Sequence, residues 1–163
     1  VYYHLHYKNI LSERIYQERL YLVQSDEPAI CKSLIHTEEL DPSLELFLNW
    51  DANFQIWHDQ WLTGYSRPRI IVDTITLRNH VWTDKKSWMI APESVINELY
   101  HYRRLYVSEL KNPPPDRVCY KIKHRFPSSA TQTAVAYFEQ ALGNYLCQVK
   151  SSLRIGEIWG TDI

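Results

Sequence analysis

Residues 98–126 read ELYHYRRLYVSELKNPPPDRVCYKIKHRF. Their pattern decides the fold: a strand, a tight turn at Pro113, Pro114 and Pro115, and a second strand. Neighbouring residues of a strand point to opposite faces. His101, Arg103, Leu105 and Val107 therefore share one face, and Tyr102, Arg104 and Tyr106 share the other. A guanidinium beside Leu105 and Val107 needs an anion, because burying it alone costs several kcal/mol. The planar fork of arginine suits a carboxylate held through two parallel hydrogen bonds.

The segment IYQERLYLV, residues 15–23, repeats the pattern with opposite sign. Tyr16, Glu18, Leu20 and Leu22 share a face, and a carboxyl in that company has its pKa raised unless it is paired. It is then able to donate a hydrogen bond or a proton near neutral pH. Two arrangements satisfy Arg103 and Glu18. Either they pair with each other, or they stand at opposite ends of a pocket whose ligand carries a carboxylate at one tip and a hydroxyl at the other.

Working outward, residues 1–23 read as two strands around a turn near residues 8–13. Asp41 and Pro42 give a helix start. Asp51 caps a second helix with Phe54, Trp57 and Trp61 on one side. RIIVDTITLRNHVW is β-branched and strand-like, TDKKSW is a polar turn, and APESVINELY is a short helix entered at Pro92. Ser129 caps a helix through Ala134, Val135, Phe138, Ala141 and Leu142, with Gly143 near its end. SSLRIGEIW closes as a strand. The order of elements in 1–83 echoes that in about 93–159, a two-fold internal repeat of pattern. Hairpins with helices between them predict an α+β fold, an antiparallel sheet with helices packed on it.

At 163 residues the chain has the size of one domain, residues 1–163. A net charge of −1 gives no global basic field for nucleic acid. No apolar run approaches the ~20 residues of a membrane span, and VYYHLHYKNI is not a signal peptide. Cys31, Cys119 and Cys147 are odd in number and far apart, which predicts reduced thiols in the cytoplasm. Twelve tyrosines and six tryptophans call for partners for their polar tips when buried.

Four segments carry a family likeness: LDPSLELFLNWDANF (40–54), APESVINELYHYRRLYV (91–107), FEQALGNYL (138–146) and IYQERLYLV (15–23). In order and spacing they resemble the chorismate pyruvate-lyase fold family, which includes the effector domains of one class of bacterial transcription regulators. The glutamate strand of the lyases comes last, whereas here it comes first, so the chain reads as circularly permuted. Such permutation is tolerated where termini lie close together on the surface. The turn Asp51-Ala52-Asn53-Phe54 lacks the serine and threonine of the lyases. The resemblance implies that Arg103 holds a ring carboxylate, helped by backbone N–H groups near Asn53, Leu142 and Gly143. Glu18 then lies at the far end, as the second catalytic residue. It further implies elimination of pyruvate from chorismate to 4-hydroxybenzoate without a cofactor or metal. The alternative is a non-catalytic sensor of a small cyclic or aromatic carboxylic acid. A module that binds protein through exposed Trp and Tyr is a third reading. No nucleic-acid or membrane partner is expected.

Other constellations are weaker. His4 and His6 match a histidine-hydrophobic-histidine metal motif but sit at the extreme N-terminus, and solvent-facing strand histidines are the simpler reading. Cys119 and His124 lie on opposite faces of one strand and cannot act as a nucleophile and base. The run KIKHR (121–125) reads as a solvated strand face.

Overall fold

The structure is a computed structural model that describes residues 1, 5–25, 32–62, 68–73, 82, 84–102 and 104–152, without the side chains of 149–152. It is mixed α+β and falls into two compact units, one of residues 1–18 and 118–163, the other of residues 19–117.

The larger unit is organised by β2 (Leu20–Ser25), which lies between β6 (Trp88–Pro92) and β7 (Leu105–Leu110) and runs antiparallel to both. On the far side of β7, β3 (Leu34–Ile35) is parallel to it. Beyond β6, an isolated parallel bridge from Glu45 to Trp88 brings up β4 (Leu46–Leu48), itself parallel to β5 (Ile70–Val72). β2 thus runs against the other five strands. The expected antiparallel sheet is a mixed one.

Alternate residues of these strands feed two cores. Leu20, Leu22, Trp88 and Ile90 face helix α1 (Ala52–Trp61) through Phe54 and Trp57. Val23, Met89 and Ala91 face helix α2 (Glu93–Tyr100) through Ile96 and Leu99. A helix therefore covers each face of the sheet, the arrangement that strands buried on both sides require. β4 is buried at all three positions, which explains why LELFL, with apolar residues on both faces, goes into the sheet.

The smaller unit holds β1 (Ile10–Glu18) paired with β8 (Arg117–His124), whose first residue belongs to the larger unit, and helix α3 (Ser129–Ser152). Lys121 and Lys123 both reach Glu13 on β1 and Glu139 on α3, at 2.7–3.4 Å. Four alternating charges tie the helix to the ribbon.

Several sequence expectations change. The stretch around Arg103 is not a hairpin: residues up to Tyr100 are helical, His101 ends that helix in αR geometry, and β7 and β8 pair with β2/β3 and β1, respectively. Proline offers no N–H to a ladder, so the three prolines work as a connector. The hairpin expected around residues 8–13 is likewise not found among the described residues, because β1 runs from Ile10 to Glu18 through most of that turn and pairs with β8, while β2 enters a different sheet. Asp41 does cap a turn, accepting from Ser43 N, but only one 3₁₀ turn (Pro42–Leu44) follows before β4. Helix α3 runs through Gly143 instead of stopping there. KIKHR is no bare solvated face, since its two lysines are half-buried in ion pairs. Residues 74–81 and the closing strand in SSLRIGEIW fall largely outside the described residues. The expected echo between the two halves is not found among the described residues, since neither half opens on a hairpin.

Candidate ligand-binding site

From β4 the chain crosses through α1 to β5, moving away from β6. From β6 it crosses through α2 to β7, moving the other way and over the opposite face. The strand order therefore reverses between β4 and β6. In open sheets of this kind, ligands sit outside the carboxyl ends of the strands at such a reversal. The parallel register of Glu45 with Trp88 sets Leu48 level with Ala91, so the two strands end together and both helices begin there.

Asp51, extended at φ −171° and ψ 179°, starts α1. Its Oδ1 accepts from Phe54 N at 2.8 Å, and its carbonyl accepts from Gln55 N at 3.0 Å. The N–H groups of Ala52 and Asn53 lie outside the helix's own ladder, and both residues are exposed. At α2, Pro92 occupies the cap position and Glu93 N donates to Arg19 O at 3.1 Å. Trp50 links the two strand ends: its Nε1 donates to Ile90 O at 2.7 Å. The guanidinium of Arg117, a residue only 6 % exposed, stands 5.3 Å from the centre of the Trp50 ring. The site thus combines a ring face, a cation and backbone donors at a positive helix end, which suits a small acid with a flat or cyclic body.

Beneath the site, α1 is pinned from below. The Nε2 of His58 lies 2.9 and 3.0 Å from the two carboxyl oxygens of Glu45. The side chains are 3 % and 2 % exposed, and Phe47 packs on the imidazole at 4.4 Å. Burial pushes the Glu45 carboxyl up from its ordinary range, and the hydrogen bond from His58 opposes it. The Nδ1 of His58 faces Asp59 at 3.8 Å.

The structure places the residues singled out from sequence as follows. Asn53 stands at the N-terminus of α1, with its N–H outside the helix's own ladder. Glu18 is fully buried at the end of β1 in the smaller unit. Arg103 lies outside the described residues, as does His4. Leu142 and Gly143 sit within α3, where their N–H groups serve the helix ladder and not a turn. Among the described residues no group of three or more His, Cys, Asp or Glu is placed to hold a metal ion, and no helix is long and apolar enough to cross a membrane. Cys119 is buried and Cys147 exposed, both as free thiols. Sequence reasoning missed Trp50 and Arg117. Their signals were an aromatic residue wedged between a strand and an N-cap, and an arginine alternating with Cys119 at a strand start.

No family model and no curated protein matches the sequence. Solved structures do match. The reduced regulatory domain of OxyR from Pseudomonas aeruginosa aligns with 83% of this chain and 68% of its own, at 18% identity and a TM-score of 0.61. The chain has the fold of a regulator effector domain. The effector-binding domain of QuiR, solved with shikimate, aligns with 80% of this chain and 64% of its own, at 16% identity and a TM-score of 0.59. CbnR, a LysR family transcriptional regulator, aligns with 76% of this chain and 44% of its own, at 15% identity and a TM-score of 0.55. The chain thus spans about two thirds of the two domain structures and less than half of CbnR. Of the two branches of the family resemblance, the effector-domain branch is the one these neighbours support.

Proposed function

We propose that this effector-type fold senses a small carboxylic acid, with a cyclic or aromatic body, without transforming it. One observation carries the reading: the Arg117 guanidinium stands over Trp50, two residues before the exposed N-terminus of α1, where the strand order reverses. The ligand's carboxylate would take the Ala52 and Asn53 N–H groups and the charge of Arg117, and its ring would lie on Trp50. The fold neighbours favour sensing over elimination, since QuiR holds shikimate in its effector-binding domain. Arg103 remains a proposed second cation for the same acid, and Glu18 a proposed buried acid.

Calorimetric titration of the protein with shikimate, 4-hydroxybenzoate and chorismate tests this. At least one is expected to bind while chorismate stays intact. Trp50→Leu should weaken that binding by about ten-fold, the loss of a stacked or cation-facing ring. Conversion of chorismate to 4-hydroxybenzoate would restore the lyase reading. Failure of all three to bind at millimolar concentration, or binding indifferent to Trp50→Leu, would remove the site.

A further inference from the structure

Helix α1 is held to β4 by the buried pair of His58 and Glu45, and the two ring nitrogens of that pair are placed unequally. Nε2 lies 2.9 and 3.0 Å from the two carboxyl oxygens. Nitrogen and oxygen both present lone pairs, so contacts that short require one proton between them. Nδ1 is buried and makes no hydrogen bond among the described residues. It faces the carboxyl of Asp59 at 3.8 Å, outside hydrogen-bond range, and that side chain is 57 % exposed. The pair therefore has two places for a proton, and its geometry requires one of them to be filled. With one proton it is a net anion shut away from water, which is costly. With a second it is neutral, as carboxylate and imidazolium or as carboxylic acid and imidazole. In either arrangement Nδ1 carries the hydrogen that faces Asp59. Burial pushes the Glu45 carboxyl up from its ordinary range, the direction that favours the second proton.

The charged groups facing His58 are the carboxyls of Glu45, just ahead of β4, and Asp59, on α1 itself. Its ring neighbours, Phe47 of β4 and Phe54 of α1, do not titrate, nor does Trp88 of β6, which is bridged to Glu45. The pair also lies near the helix end proposed above for the acid. From Asn53 to His58 the helix rises about 8 Å, and from Glu45 to the end of β4 at Leu48 the strand rises about 10 Å. At that range, and at an effective dielectric of about 20, a partly screened carboxylate shifts a proton equilibrium by about ten-fold. We propose that an acid binding at the N-terminus of α1 draws a second proton onto the Glu45–His58 pair, so that the site holds its ligand more tightly at acid pH than at alkaline pH. The proton comes from solvent past the exposed side of Asp59. Linkage makes the effect reciprocal: the protonated pair strengthens binding by the factor by which the ligand strengthens protonation. The inference rests on the ligand reading above and adds the regulation of that site by pH.

Calorimetric titration of the full chain with shikimate, 4-hydroxybenzoate and chorismate tests it, in pairs of buffers that differ in heat of ionisation: MES and Bis-Tris at about pH 6, HEPES and Tris at about pH 8. A proton taken up from the buffer makes binding less exothermic in the second member of each pair. The expected result is uptake of a fraction of a proton per ligand at one or both pH values, with a Kd that rises by up to about ten-fold from the acid to the alkaline end. Glu45→Gln keeps an oxygen for Nε2–H and removes the titrating acid, so its heats should agree within each pair and its Kd should not change with pH. Asp59→Asn, on the exposed side of the helix, removes the anion facing Nδ1 and should move the wild-type profile toward acid; it serves as the test should Glu45→Gln fail to fold. Binding with equal heats and a constant Kd in the wild type overturns the proposal and leaves the sensor reading standing. So does uptake that survives Glu45→Gln, or a profile that Asp59→Asn leaves in place. Failure of all three acids to bind at millimolar concentration removes the sensor reading and this inference together.

Discussion

Removing the imidazole of His58 while leaving Glu45 in place strands an acid where water does not reach. His58→Ala should cost on the order of 3 kcal/mol, the usual result of breaking a buried pair from one side. Glu45→Gln keeps an acceptor for the ring and should cost less. The pH dependence separates the two effects. The carboxyl of Glu45 is raised by burial above its unfolded value. Its contribution is then fully present below the ordinary carboxylate range and is lost as pH rises through the raised value. Replacing it with an amide removes that loss, so the melting temperature of Glu45→Gln relative to the wild type should climb between acid and neutral pH. A constant difference across that range would mean the carboxyl does not titrate there.

Among the elements, α3 responds with the opposite sign. Hydrogen bonds from Lys121 hold the carboxyls of Glu13 and Glu139 below their ordinary range, with Lys123 adding to both. A depressed acid contributes stability above its unfolded value and loses it as pH falls through the folded one. These groups are half-exposed, so each pair contributes no more than about 1 kcal/mol and is weakened by salt. Glu139→Gln should therefore lower helix stability by at most about that amount, with the deficit fading in high salt. At the start of α1 the cap is a separate matter. Asp51→Ala removes the acceptor for Phe54 N and should cost about 1 kcal/mol in thermal unfolding.

Local grammar was legible in the sequence and long-range pairing was not. Asp51 announced α1 and Pro92 the start of α2, because a cap or a fixed φ acts within one turn of the residue that supplies it, whereas at α3 the cap is Ser128, whose Oγ accepts from Thr131 N, one residue before the Ser129 expected. What misled was the prolines at 113–115: two strand-like runs around a turn look like a hairpin, yet nothing in either run says that β7 prefers β2 and β3 while β8 prefers β1. Gly143 looked like a stop, but on the half-buried side of α3 its lack of a side chain is tolerated within a 24-residue helix. The candidate site was half legible. Asn53 was reached through the family resemblance. Trp50 and Arg117 were not, since their meeting requires the end of β4 and the start of β8, sixty-seven residues apart in sequence, to come together.

At the scale of the whole molecule, the indoles are unevenly shared. Trp50, Trp57 and Trp88 each donate to a backbone carbonyl at least forty residues away, at 2.7–3.0 Å. Together with Trp61 and Trp82 they put five of the six tryptophans between residues 19 and 117. Intrinsic emission is therefore close to a private signal of the larger unit, while far-ultraviolet ellipticity is weighted toward the long helix of the smaller one. Recorded on one sample during a denaturant ramp, the two wavelengths would tell without any label whether the halves melt as one or in turn.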